Sequence, residues 1–258
     1  MKSFFRFLLL FGLNPIKFFF TIKGLPKYIR DLSILKSDIK KYHFFKITKF
    51  IPIINEWNDQ AGDAKGHYFH QDLFVSQLIY NDNPRNHIDI GSRIDGFVAH
   101  VAAYRKIQIM DIRNINIKHK NISFIKADLM NIQTDLLNSA DSISCLHALE
   151  HFGLGRYGDN IDYFGYLKGF ENITGMLSKG GKFYFSVPIG KQRIEFNAHR
   201  IFSLNYLISL IEKHYIIKSF SYVDDKDNFF ANEILDDEKI KINYGCNYGC
   251  GIFELIKF

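Results

Sequence analysis

From Lys27 to Lys41 the apolar residues Tyr28, Leu32, Leu35 and Ile39 recur at steps of four, three and four, with Arg30, Asp31, Lys36 and Asp38 off that line. This is one face of an α-helix. The preceding stretch, MKSFFRFLLLFGLNPIKFFFTIKGLPKYIR, is strongly apolar and aromatic but interrupted by Arg6, Pro15 and Lys17. Only Phe7 to Leu13 is free of charge before Asn14, whereas a spanning helix needs about 20 apolar residues. No small-residue cleavage site follows, so a secretory signal is not expected either. The pattern predicts two short aromatic helices carrying Lys and Arg, suited to packing on a following domain or to lying in a membrane interface. Between Asn55 and Gly66 glycines and polar residues replace the periodicity, which places a domain join there: residues 1–60 as a helical extension, 61–258 as the second domain.

After Gly66 short β-rich runs alternate with helical stretches, the arrangement of a parallel sheet covered on both faces. The runs are HIDI (87–90), IQIMDI (107–112), ISFIKA (122–127), SISCL (142–146), KFYFSVP (182–188), IIKSFSYV (216–223) and GIFELIKF (251–258). Seven strands are expected, with a helix near 166–177 stopped by Gly180 and Gly181.

Composition narrows the classes. The 258 residues are 47% hydrophobic, 16% aromatic and 23% charged, which excludes disorder over most of the length. Three cysteines, Cys145, Cys246 and Cys250, cannot form a disulfide framework and fit a reducing compartment. The net charge of +6 admits a polyanionic partner, but the whole chain is biased toward Lys, Ile, Asn and Phe, so a nucleic-acid role is not expected.

The first strand leads into HIDIGSRIDG (87–96), a glycine turn from strand to helix with Gly91 and Gly96 at the outer spacing of a dinucleotide fingerprint. Arg93 stands where the middle glycine would be, which disfavours a pyrophosphate; a cofactor without phosphates does not need that glycine. Asp111, twenty residues beyond Gly91, closes the second strand, where a carboxylate can accept from both ribose hydroxyls. Asp128, seventeen residues further, closes the third, where it can accept from an adenine amino group. Three aspartates in order at successive strand ends of an open sheet point to an adenosine pocket.

The series HIDIGSRIDG, IMDIR, FIKADL, DSISCLHALEH and MLSKGGKFYFSVP resembles the successive motifs of class I S-adenosylmethionine-dependent methyltransferases, over residues 66–258. More narrowly, GHYFHQDL, HIDIGSRIDGFVAH, CLHALEHFGLGRYGD and SVPIGKQRIEFNAHRIF resemble the methyltransferase-like domain-of-unknown-function family 268. The resemblance implies a Rossmann-like α/β sheet of seven mostly parallel strands with helices on both faces, behind an N-terminal helical extension, and S-adenosylmethionine as cofactor. By the same resemblance Asp89, Gly91, Ser92 and Arg93 form the cofactor loop, Asp111 and Ile112 take the ribose, Asp128 and Leu129 the adenine, and His147 adds a further cofactor contact.

CLHALEH holds His147, Glu150 and His151 in the H-x-x-E-H order of inverted zinc peptidases, but it directly follows a strand rather than lying on a helix. It also resembles the Glu-x-x-Glu-His element with which ubiquinone-biosynthesis O-methyltransferases hold a divalent metal. The preferred reading assigns no metal: His151 caps a helix and Glu150 packs against the cofactor loop. His199, in FNAHRIF after the fifth strand, is placed to take the proton of an acceptor hydroxyl. His199, His151 and Glu150 are thus the catalytic candidates. His67, His70, Asp72 and His100 suggest a polar cleft without assigned roles. Cys246 and Cys250 have no second pair to complete a zinc knuckle, and Gly153, Gly155 and Gly158 with Arg156 form a tight loop that is a candidate phosphate binder.

The expected function is O-methylation of a small or carbohydrate acceptor in cell-surface polysaccharide biosynthesis, the acceptor resting on association alone. The alternative is a non-catalytic or repurposed binding protein, favoured by Arg93 and Asp95 in the loop. The absence of an Asn-Pro-Pro-Tyr element after the fourth strand argues against methylation of nucleic-acid bases. The expected setting is cytoplasmic, at the inner face of the membrane if residues 1–41 dock there peripherally, with the oligomeric state open.

Overall fold

The computed structural model describes residues 8–58, 62, 64–131 and 136–258. Its contacts divide the chain into two units, Met1–Asp63 and Ala64–Phe258. Arg6 and Phe7, where the N-terminal reading starts, lie outside the described residues. In the first unit Asn14 caps helix α1 (Pro15–Tyr42), its side-chain oxygen accepting from the Lys17 N–H at 3.0 Å, while Pro15 occupies the first turn, where no N–H is required. One long helix therefore replaces the second short aromatic helix and the separate helix over 27–41. Pro26 lies inside it without ending it, because the lost N–H removes one bond from a ladder that continues on both sides. On the expected inner face Tyr28, Leu32 and Ile39 are half-buried but Leu35 is exposed, as are Phe18, Phe19, Ile22 and Ile29 off it. Among the described residues no helix is long and apolar enough to cross a membrane.

The second unit is built on an eight-stranded sheet. Helix α2 (His67–Asp82) precedes β1 (His87–Ile90); a π-type turn (Ile94–Val98) and short α3 (Ala99–Ala102) lead to β2 (Ile107–Asp111), β3 (Ile122–Lys126) and β4 (Ala140–Leu146). Helix α4 (Gly165–Met176) then runs into β5 (Leu177–Ile189), followed by the hairpin β6 (Arg193–Glu195) and β7 (His199–Ile201), α5 (Leu204–Ile211), β8 (Tyr215–Val223), β9 (Phe229–Glu233), α6 (Asp237–Lys241) and β10 (Gly249–Lys257). The strand order is β3-β2-β1-β4-β5-β10-β8-β9, with β6 and β7 paired separately. Strands β1 to β5 are mutually parallel; β10 runs against both β5 and β8, and β9 against β8. Six strands thus share one direction, and the order reverses between β1 and β4, the point where open sheets of this kind bind ligands.

The alternation of side chains along strands sorts the core into two layers. Ile88, Ile90, Ile143, Cys145, Phe183 and Phe185 belong to one buried cluster with Phe170, Ile173 and Met176 of α4 and Leu204, Leu207 and Ile211 of α5. Ile109, Leu146, Tyr184 and Ile252 belong to the other, with Val75 and Ile79 of α2 and Val98 and Val101 after the π turn. Both faces are covered, so the central strands read as nearly unbroken apolar runs.

All seven expected strands are present, and the expectation fell short in three places. Strand β9 extends the edge, and the β6–β7 hairpin forms a second small sheet. The Gly180–Gly181 pair does not stop the helix, which has already ended at Met176. Instead the register between β4 and β5 jumps from Ala140↔Leu177 to Ser142↔Lys182, and the glycines sit in the bulge this requires.

His87 and Asp89 point to the same face of β1 as Ser142 and Ser144 on β4, the strand beside it. Asp89 Oδ1 accepts the Ser144 hydroxyl at 2.6 Å, so Ser144 has no further hydrogen and accepts from His87 Nε2 at 3.1 Å. His87 Nδ1 then accepts from Ser142 Oγ at 2.8 Å. Burial holds this neutral imidazole down to about 3, against an ordinary 6.5. Since only the unfolded chain takes up the proton between those values, stability falls as pH drops through that window. Urea unfolding at stepped pH should show this group contributing up to about 1.4 kcal/mol per pH unit. His87→Gln should flatten the slope; an unchanged slope would remove His87 as its source.

Candidate active site

The turn after β1 is fixed by Asp89, whose carboxylate is fully buried and also accepts the Ser92 hydroxyl at 2.7 Å and the Ser92 N–H at 3.2 Å. Burial pushes this carboxyl up to about 7, and the two serine hydroxyls oppose the shift. Gly91 has φ +70°, and a Cβ there would stand 2.9 Å from that of Ala148; both its left-handed backbone and the closeness of the β4 end require glycine. Arg93 points away from this turn and pairs with Asp95 at 2.9 Å on the surface.

A cavity of about 540 Å³, its open mouth included, lies over the carboxyl ends of β1 to β4. Gly91, Asp111, Ile112, Asp128, Leu129, His147 and His151 line it. Asp89 and Ser92 sit behind it, shaping the turn, and Arg93, Glu150 and His199 do not reach it. Arg113, Tyr157 and Asp159, which sequence reasoning missed, line it as well. Asp111 is buried and clamped by Arg113, through the backbone N–H at 2.8 Å, Nε at 3.0 Å and Nη2 at 2.6 Å. The Arg113 guanidinium also covers the Tyr157 ring, 4.3 Å from its centroid. Asp128 accepts from the Met130 N–H at 3.0 Å and Asn131 Nδ2 at 2.8 Å, organising the turn after β3.

Beyond β4, His147 has φ +50° and its N–H donates to the Ser186 carbonyl at 3.0 Å. Its Nδ1 meets Glu150 Oε1 at 2.8 Å. Burial alone would raise the Glu150 carboxyl, but the charge of His147 beside it brings it below the ordinary value. Burial opposes a charge on His147 too, yet the neighbouring Cys250 sulfur and Glu150 carboxylate push its imidazole up to about 10. His151 does not cap a helix; it lies in a 3-10 turn (Leu149–His151), where its Nδ1 donates to the Ala198 carbonyl at 2.6 Å. That leaves Nε2 as the basic nitrogen, 3.7 Å from Glu150 Oε1. Burial lowers the His151 imidazole, keeping it neutral and able to accept a proton. His199, at the start of β7, stands with its ring 6.4 Å from that of His151 and 5.0 Å from that of Tyr248, its Nε2 3.4 Å from Glu195.

The loop through Gly153, Gly155 and Gly158 is not a vacant anion cradle. The N–H groups of Gly153, Gly155 and Tyr157 all donate to the Asp159 carboxylate, at 2.8, 3.2 and 3.2 Å, and Arg156 Nη1 donates to the Ala198 carbonyl at 2.8 Å. Gly153, at φ +76°, also leaves no room for a Cβ beside the Asp162 carbonyl.

The family described as "Caenorhabditis protein of unknown function, DUF268" matches residues 98–244, more than half of the chain. The chain belongs to the DUF268 family. No curated protein matches it. Among solved structures, this DUF268 chain is similar to the cyclase SpnF, with TM-score 0.53, 11% identity, and coverage of 76% of this chain and 85% of that one. It is also similar to the 1,6-didemethyltoxoflavin-N1-methyltransferase of Burkholderia thailandensis, solved with bound 1,6-didemethyltoxoflavin and S-adenosylhomocysteine, with TM-score 0.50, 14% identity, and coverage of 88% and 89%. The N-methyltransferase NodS of Bradyrhizobium japonicum gives TM-score 0.49, 12% identity, and coverage of 74% and 87%. At these identities the likeness is one of fold, and the fold is that of the class I methyltransferases.

Asp159→Ala strips three N–H groups of their acceptor, and unmade buried hydrogen bonds cost about 1–3 kcal/mol each at most. Thermal and urea unfolding should show a loss of about 2 kcal/mol, with Asp159→Asn losing less because one oxygen remains. A neutral alanine variant would mean that the loop is not held this way.

Proposed function

We propose that this DUF268 protein is an S-adenosylmethionine-dependent methyltransferase acting on an oxygen of a small or carbohydrate acceptor, with cell-surface polysaccharide synthesis as its setting. The observation that carries the reading is the cavity that gathers Gly91, Asp111, Ile112, Asp128 and Leu129 from three successive strand ends and abuts a neutral, accepting His151. The residues fit the donor: the buried Asp111 faces the cavity where ribose hydroxyls can donate to it, Asp128 and Leu129 offer a polar and an apolar edge for adenine, and the tight turn at Gly91 leaves room beside β4. When bound, the donor supplies an electrophilic methyl group: a carbon–oxygen bond forms to the acceptor as the carbon–sulfur bond breaks. His151 Nε2 takes the hydroxyl proton, its tautomer set by the Ala198 carbonyl, and the Glu150 carboxylate stabilises the imidazolium that results. His199 and Tyr248 border the acceptor side. The methyltransferase with S-adenosylhomocysteine among the similar structures supports the donor.

A second reading, a repurposed binding protein, is favoured by the Arg113 clamp on Asp111 and by the likeness to a cyclase of the same fold. The exposed Phe18, Phe19 and Ile22 of α1, flanked by Lys17 and Lys23, support peripheral docking of the first unit on an anionic membrane.

Calorimetry separates the two readings. Measurable binding of S-adenosylmethionine is expected, weakened by about 1–3 kcal/mol in Asp111→Ala; no binding at millimolar donor would overturn the enzyme. His151→Ala should lower kcat by about 10²–10⁴ while donor affinity holds. Because the base must be unprotonated and its imidazole lies below the ordinary 6.5, kcat should be flat at neutrality and decline only on the acid side. Deleting residues 1–41 should abolish co-sedimentation with anionic vesicles and leave donor affinity intact.

A further inference from the structure

Behind the cavity, three side chains from distant parts of the chain meet. His67 opens α2, His147 follows β4 and Cys250 lies near the start of β10; one candidate ligand atom from each lies within 4.8 Å of the other two. The two imidazoles stack with centroids 5.2 Å apart, tilted by 15°. His147 is buried, and its Nε2 has no hydrogen-bond partner. A buried polar atom left unpaired is costly and calls for an explanation. The Cys250 sulfur is also poorly served: beside the His147 imidazole, its hydrogen bonds are long ones to Gln71 Oε1 at 3.8 Å and the Gly251 carbonyl at 3.9 Å. It is fully buried, which argues against a nucleophile, since a reactive thiol needs access.

We propose that His67, His147 and Cys250 form a binding site for a single zinc-class divalent ion. A thiolate with two imidazoles is a borderline-soft donor set, which suits zinc or cobalt and not magnesium or calcium. The supporting shell is in place. Glu150 Oε1 holds His147 Nδ1 at 2.8 Å, turning Nε2 toward the site in the carboxylate–histidine–metal arrangement. The Tyr248 ring lies against that of His67, with centroids 5.3 Å apart. The charges balance in the dry interior: a divalent cation against the Cys250 thiolate and the Glu150 carboxylate. Three protein ligands leave one tetrahedral position for an exchangeable ligand, as in catalytic rather than closed structural sites. His147 borders both this cluster and the main cavity. The site does not rest on the methyl-transfer reading, because metal binding is measurable without the donor.

The test is titration of the full-length, tag-free, metal-stripped chain with cobalt(II) alone and then with zinc(II). One equivalent of cobalt should bind with a sulfur-to-cobalt charge-transfer band and intense tetrahedral visible bands, and zinc should displace it. Cys250→Ser should remove the charge-transfer band, and Cys246→Ser should retain it. His67→Asn, at a half-buried helix start where folding is tolerant, should weaken zinc at least about tenfold with the metal-free melting temperature unchanged, and Glu150→Gln about 10–100-fold. No stoichiometric binding, a cobalt spectrum without the sulfur band, or affinity unchanged in His67→Asn would overturn the proposal.

Discussion

A carboxylate taken wholly out of water costs several kcal/mol unless it is paired, and Glu150, with 1% of its surface exposed, is in that position. Both histidines around it are placed by this requirement. His147 bends into a left-handed conformation after β4 so that Nδ1 meets the carboxylate, with its N–H tied back to β5. His151 turns its far nitrogen toward the same oxygen while the Ala198 carbonyl takes its near one. The segment leaving β4 is therefore pinned at both histidines, and its path sets one wall of the cavity. Arg200 fastens the next stretch, donating to the Phe152 carbonyl at 2.6 Å and the Tyr163 carbonyl at 3.2 Å.

The same constraint acts one strand away. Asp89 and His87 lie in the sheet interior, where water cannot serve them, and Ser142 and Ser144 at matching register absorb both. The turn after β1 is thus held from below by a satisfied polar column and from above by Ser92 folding back onto the same carboxylate. A turn fixed in this way before any ligand arrives loses little conformational freedom on binding. The strand ends form the floor of the cavity; the half-exposed Arg113 and the loop pinned on Asp159 stand at its rim.

What the sequence made legible is what depends on near neighbours. Gly91, Asp111 and Asp128 each close or follow a strand and Asp89 stands one residue before the end of β1, so strand period and chain order alone bring them to one edge of the sheet. The failures have equally physical causes. The Gly180–Gly181 pair carries the composition of a helix stop, yet it serves a register jump that exists only once β4 and β5 pair. Strand β9, FFANE, is an edge strand with little burial and so little patterning. Glu150, His147 and His151 were visible as members of one motif, but not that both histidines turn to the buried carboxylate, and the loop glycines looked like an anion cradle because the composition of the loop does not show that Asp159 fills it. His67 and Cys250 are 183 residues apart in the chain; only the antiparallel insertion of β10 beside β5, near α2, brings them to His147.

The Arg113 clamp on Asp111 bears most directly on whether the cavity admits a nucleoside. Two oxygens carry about four lone-pair sites, and Arg113 engages them three times, twice on Oδ1 and once on Oδ2. A ribose diol approaching from the cavity would share or displace the Nη2 contact. The Arg113 side chain is 48% exposed but the Asp111 side chain only 4%, so the guanidinium can be given back to water whereas the carboxylate has to stay paired. A hydrogen bond to a charged group contributes about 1.5–3 kcal/mol. A guanidinium released from Oδ2 keeps its hydration and its Tyr157 face, while the backbone contact on Oδ1 stays in place. On the proposed reading the clamp is a rest position for Asp111, keeping the buried carboxylate paired until a ligand with two adjacent hydroxyls takes over.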